Sequence, residues 1–385
     1  MLRTFDEINE KIRTGKVAVF TAEEVVALAK EQGVKEATKR VDVVTCATFG
    51  AMCSSGAFLN FGHTNPPMRM SGIWMNDVPA YGGLAAVDTY IGATQASDTQ
   101  GIDYGGAHVI ADLIAGKSVR LKATSRGTDC YPRTELDTSV RLEDFNQAYL
   151  YNPRNAYQNY SAATNASTRT IYTYMGTLLP RCGNVTYSTS GELSPLLKDP
   201  QLRTIGMGTR IFLGGAQGYV AWEGTQFKRV HSEVEGGVND AGATLALIGD
   251  MKHMEPRYVR GATMRGYGTT LFLGVGIPIP VLDEDLMRDL SRGNDELFTD
   301  LCDYSTGTRS RPQVRPVSYA ELRSGKVTVG GRSVVSAPLS SLYLAREIAQ
   351  RLKLSIAAGS FLLQQPIAPF PADRVFRPFK GGESL

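Results

Sequence analysis

The five cysteines are the residues of this 385-residue chain best suited to reactive chemistry, and an odd number spread so widely does not read as a disulfide framework. Cys53 stands in ATFGAMCSSGAF, directly after the β-branched run VDVVT, in a turn of small residues with free backbone amides. Such amides favour negative charge, so a thiol there can be held as thiolate. The alternative is a small buried hydrophobe. Cys130, in ATSRGTDCYPRTEL, also follows a strand-like run, and Gly127 and Pro132 mark a turn around it. Arg126 and Arg133 would lower its pKa and Asp129 would raise it, which leaves both a structural and a functional reading open. Cys182, in LPRCGNVTYS, is a loop thiol beside Arg181, placed to act as a third ligand or a resolving thiol. Cys46 at a strand end and Cys302, at helical spacing from Leu297 and Leu301, suit packing.

Other chemistries lack their residues. There is no CxxC for a zinc ribbon or a thioredoxin-like centre, and His63, His108, His231 and His253 form no HExxH. GGAQG at 214–218 and GVGIPIP at 274–280 miss both the GxGxxG register and the P-loop Lys, so turn or packing roles are expected. No GxSxG elbow points to a hydrolase.

The elements that would position the thiols follow from periodicity. Phe5 to Ile12 suits a short helix and Lys16 to Phe20 a strand; Thr21 with Glu24 forms a capping box that opens a helix over Ala22 to Gln32. Residues 46–106 are dense in Gly, Ser, Asn and Pro and read as loops on a scaffold. A helix over 107–116 and strands at 119–123, 210–213, 218–222, 244–248 and 270–275 follow, then strands near 325–336 and a helix over Ser340 to Lys353. A polar excursion occupies 134–170. IRTGKVAVF near the start echoes LRSGKVTVG at 322–330, which would fit either two related halves or chance. The fold class expected is α/β, one domain over 1–385, with a mixed or mainly parallel sheet, flanking helices and the site in Gly-rich loops after strand ends.

Composition narrows the partners. Lys plus Arg is 41 against 38 for Asp plus Glu, a net charge of +3, which gives no basic surplus for nucleic acid. No apolar run approaches the roughly 20 residues of a membrane span, and the start of the chain is polar, so a cytoplasmic protein is expected.

Taken together, VVTCATFGAMCSSGAFLNFGHTNPPMRM, AYGGLAAVDTYIGAT, DYGGAHVIADLIAGK, GTDCYPR, STSGELSPLLKDP, GTRIFLGGAQGYVAWEGTQ and GIPIPVLDED resemble the homocysteine biosynthesis protein family across essentially the whole chain. The resemblance implies an L-aspartate semialdehyde sulfurtransferase of anaerobic prokaryotes. It places the family's two essential cysteines on Cys53 and Cys130. It also implies a ferredoxin-like iron–sulfur partner. Regulatory CBS modules follow this domain in many members; the chain ends at Leu385 without room for them, so regulation of that kind is not expected.

The scheme expected from this resemblance has one cysteine, Cys53 by preference, carrying a persulfide, and the partners it implies are aspartate semialdehyde and a sulfide or persulfide donor. The outer sulfur of the persulfide adds to the aldehyde, and loss of water with attack by the other cysteine leaves homocysteine and a Cys53–Cys130 disulfide that the ferredoxin-like partner reduces. Arg69 and Arg210 are candidate cations for the substrate carboxylate, and Asp129, Asp103 and Glu192 for its ammonium. His63 or His108 is the candidate proton donor. A homodimer is compatible with all of this. Two alternatives stand: an iron–sulfur cluster on Cys53, Cys130 and Cys182 with an open iron for sulfide, and a non-catalytic persulfide carrier or scaffold.

Overall fold

The computed structural model describes residues 2–371 except 156–159, 242, 309 and 310, together with 374, 377 and 379. The 156–159 part of the polar excursion therefore lies outside the described residues. The fold is α/β, built on two mixed sheets of fourteen and eight strands with helices packed on them.

Helix starts follow the side-chain chemistry expected of them. Thr4 with Glu7 and Thr21 with Glu24 form capping boxes at the helices Phe5–Arg13 and Ala22–Gln32. The strand Val19–Thr21 between them pairs parallel with Val43–Ala51, while the remaining pairings of the large sheet are antiparallel among the described residues.

Val43–Ala51 is buried at every position, because helices cover it on both sides. Ile348, Ala349 and Leu352 of the helix Leu342–Ala357 pack with Val43, Ala47 and Phe49, and helices Ala22–Gln32 and Glu284–Leu290 pack with Val44 and Cys46. Gly274 and Gly276 of the neighbouring strand Gly268–Pro280 let Ile348 approach: a Cβ on Gly274 would meet its Cδ1 at 2.7 Å. The GVGIPIP glycines are packing glycines.

Residues 46–106 hold more strand than expected: they form Gly56–Asn60, Gly72–Met75, Val78–Tyr81, Asp88–Gly92, Ala96–Ser97 and Gly101–Gly105, with loops at 61–71 and 82–87 between them. Each is five residues or fewer, too short for alternation to stand out against the turn residues between them. Cys302 likewise lies on the strand Leu297–Asp303, not on a helix. The echoing stretches both pass from a helix through Gly15 or Gly325 into a strand. The first strand belongs to the large sheet and the second, Lys326–Val329, to a hairpin of the small one.

The helix Gly106–Ile114 seats its first residue on the large sheet, where a Cβ on Gly106 would lie 1.9 Å from the Gly92 carbonyl oxygen. Neither backbone can yield, so Gly106→Ala should destabilise the protein by about 3 kcal/mol or more. Urea denaturation of the variant checks this; an unchanged midpoint would refute it.

Candidate functional site

Cys53 sits where the strand Val43–Ala51 turns into Gly56–Asn60. The turn is closed by Ser55 N donating to Met52 O at 3.0 Å and tied to the next strand by Met52 N donating to Leu271 O at 2.7 Å. Asn152 Nδ2 donates to the buried Ser55 Oγ at 2.9 Å. The Cys53 Sγ lies 3.1 Å from the Oγ1 of Thr270, a fully buried residue of the facing strand.

Above the thiol is a cavity of about 20 Å³ between the two sheets. Met52, Ser54 and Arg154 line it from the large-sheet side, Ser188 and Leu339 from the small sheet, and Tyr174 from the turn of the separate hairpin of Ile171–Thr173 and Gly176–Leu178. Tyr160 completes it, its ring centroid 4.9 Å from that of Tyr174. Behind Tyr174 stands Tyr304, on whose ring the Arg311 guanidinium lies at 3.8 Å. Burial pushes the Cys53 thiol up; the Thr270 hydroxyl, its own amide and Arg154 pull the other way and do not prevail. The turn amide expected to hold a thiolate is present, but desolvation outweighs it.

Cys130 occupies a different setting. Thr128 and Tyr131 exchange both backbone hydrogen bonds, at 2.9 and 3.1 Å, leaving Asp129 and Cys130 at the exposed tip of a two-residue turn. The loop is braced: the Tyr131 ring stacks on His63 at 6.0 Å, and Arg133 donates to Asn65 O and Pro67 O. Beside it Arg69, Ser71, Tyr81, Arg126 and Thr128 line a cavity of about 470 Å³. Arg69, His63, Asp129 and Cys130 thus gather at one end of the large sheet.

Cys53 is not among them. Register links Phe58 to Tyr90, Tyr90 to Tyr81, Tyr81 to Gly72 and Gly72 to Thr124, so four strand steps separate the strand after Cys53 from the strand before Cys130. At about 4.8 Å a step this is roughly 19 Å along the sheet. The two thiols also leave their strands at opposite ends, far outside the ~7 Å Cα limit of a disulfide. The 46–106 segment and the 124–133 turn do meet, at the cavity lined by Arg69 and Arg126, but Cys53 lies four strands away from that place.

The remaining candidates lie elsewhere. Arg210 rests 5.9 Å over the Phe361 ring, with its Nε buried and unbonded. His108 Nδ1 accepts from Gly105 N at 3.2 Å, the ring stacks on Tyr104, and burial lowers its pKa. Glu192 pairs with Arg323 at 3.3 Å, and Asp103 is exposed. Cys182, in a left-handed turn with φ 54°, packs against the core of the small sheet. Cys53, Cys130 and Cys182 do not assemble a ligand set: among the described residues no three His, Cys, Asp or Glu are placed to hold a metal ion. A cluster on these three cysteines does not fit this chain.

Sequence reasoning missed Arg154, Tyr160, Tyr174, Ser188 and Thr270. Only the first two carried a local signal, an arginine and a tyrosine inside the Asn- and Tyr-rich excursion.

Residues 17–363 match the model of a protein family described as homocysteine biosynthesis enzyme, sulfur-incorporation. An L-aspartate semialdehyde sulfurtransferase of Methanosarcina acetivorans is 52% identical over 365 residues, covering 95% of this chain and 71% of that protein. A protein of the same name from Methanocaldococcus jannaschii is 48% identical over 382 residues, 95% of this chain and 73% of its own. An uncharacterized protein of Methanothermobacter thermautotrophicus is 30% identical over 335 residues, 84% of this chain and 73% of that one. No solved structure matches. No helix among the described residues is long and apolar enough to cross a membrane.

Proposed function

Since this chain belongs to the homocysteine biosynthesis enzyme family, we propose that it converts L-aspartate semialdehyde to homocysteine, with sulfur carried as a persulfide on Cys53. The observation that supports this most directly is a free thiol in a narrow cleft that no carboxylate lines. A persulfide there is shielded from bulk thiols and reaches its acceptor only by an organised encounter.

The electron count refines the scheme. Addition of the outer persulfide sulfur to the aldehyde carbon gives Cys53–S–S–CH(OH)R. Attack by the Cys130 thiolate on the Cys53 sulfur forms the disulfide and releases R–CH(OH)–SH. Loss of water leaves a thioaldehyde, which takes two electrons and two protons to become homocysteine. Two more electrons return the disulfide to thiols. The disulfide alone is therefore two electrons short, and a ferredoxin-like iron–sulfur protein supplies four per turnover.

The separation of the two thiols within one chain supports a reading in which they act from different copies, the Cys130 hairpin of one copy meeting the Cys53 cleft of the other in a homodimer. The 470 Å³ cavity beside Cys130 takes the semialdehyde, with Arg69 and Arg126 on its carboxylate, Asp129 on its ammonium and His63 donating a proton to the departing oxygen.

Homocysteine formed from the semialdehyde, an inorganic polysulfide and a low-potential reductant tests the activity; no product would leave a sulfur carrier. Mixing inactive Cys53→Ser and Cys130→Ser chains tests the arrangement. Random exchange gives half heterodimers with one intact site each, so about a quarter of wild-type activity should return. No recovery after demonstrated exchange would place both thiols in one chain.

A further inference from the structure

Among the described residues, nothing neutralises the cation that the Cys53 cleft holds. Arg154 lines the cleft with its Nε buried and making no hydrogen bond, and no described lining residue is a carboxylate. A partly buried guanidinium left so is costly unless an anion joins it. Hydroxyl groups line the same space: Tyr160, Tyr174 and Ser54. Burial pushes the Tyr160 phenol up to about 12, so it is a protonated donor at neutral pH. The cavity's 20 Å³ has room for one water-sized group.

We infer that Arg154 and the surrounding hydroxyls form a pocket for a one-atom anion beside Cys53, sized for hydrosulfide or for the outer sulfur of a Cys53 persulfide. The pocket deepens, and in its sulfur ligand rests on, the reading of Cys53 as the sulfur-carrying thiol. Loading from an inorganic polysulfide would form the Cys53 S–S bond and break one S–S bond of the donor. The donor's shortened chain leaves as an anion, with no net electrons exchanged. Arg154 then holds the new terminal sulfur as its anion, the form that attacks an aldehyde. It is a binding residue for sulfur and leaves the carboxylate of the substrate to Arg69 and Arg126.

Bromide probes the pocket without requiring sulfur chemistry. At constant ionic strength against bulky gluconate, bromide should slow iodoacetamide alkylation of Cys53 about tenfold and leave Cys130 unaffected, both read by mass spectrometry. Arg154→Gln should abolish the protection and Arg154→Lys should keep part of it, with the Cys130 rate and urea midpoint reporting on folding. A second arm treats the protein with polysulfide and measures cyanide-labile sulfur on Cys53, expected to be lost about tenfold faster in Arg154→Gln. No bromide protection in the wild type, or equal protection in Arg154→Gln, overturns the pocket. Bromide protection that needs Arg154, with no cyanide-labile sulfur in the wild type, upholds the pocket and overturns the sulfur-carrying reading instead.

Discussion

Cys53→Ser should lower homocysteine formation by about three orders of magnitude or more while the protein remains folded. Serine has nearly the shape of cysteine and can still meet the Thr270 hydroxyl that stands 3.1 Å from the sulfur. The turn itself is held by backbone bonds from Met52 and Ser55 and by the Asn152–Ser55 contact, none of which uses the thiol. What is lost is the nucleophile that forms an S–S bond. Cys130→Ser separates the roles, since it should stop turnover yet keep cyanide-labile sulfur on Cys53. Cys53→Ser retaining more than about a tenth of the activity would remove Cys53 from the chemistry altogether.

The largest effect on stability is expected at Lys198. Its side chain is fully buried in the large-sheet interior, and its Nζ donates to Leu290 O at 2.9 Å and to Arg292 O at 2.5 Å. It thereby satisfies carbonyls at and just beyond the end of the helix Glu284–Leu290. Lys198→Met keeps the volume and removes the donor, and should cost about 3–5 kcal/mol. Burial lowers the Lys198 pKa to about 8, below the ~10.4 of an unfolded lysine. The unfolded chain therefore binds more protons between those values, and this group's contribution to stability rises with pH across that window. Cys46 opposes it at the upper end, because burial pushes its thiol up to about 12 and its contribution falls as pH climbs past the free-thiol range. Because the thiols are common to both proteins, urea denaturation from pH 7 to 10 should show the stability of the wild type relative to Lys198→Met increasing above pH 8. A variant as stable as the parent would mean the lysine is dispensable.

Much of the framework was legible because local chemistry decides it. The Thr21–Glu24 box, the strand Arg210–Leu213 and the helix after Ser341 each carry their signal within a few residues. Cys302 misled because Leu297 and Leu301, four apart, share a face on a strand as well as on a helix. At the candidate site, Cys53 and Cys130 were visible as thiols in turns. Their separation was not, since it depends on the register of five paired strands. Arg154 escaped for the same reason: it reaches the Cys53 cleft from a hundred residues away in sequence.

The strand Val43–Ala51, walled by helices on one side and the other, has a mechanical meaning for sulfur delivery. Its amides can open to solvent only when the whole domain does. The thiol at its end is therefore an anvil, fixed while its surroundings give. Facing it, Ser188 and Leu339 of the small sheet and Tyr174 of a separate hairpin form the other wall of the cleft. The spacing of the two walls sets the width of the cleft over the sulfur, and a tighter junction between the sheets would slow loading without altering the thiol.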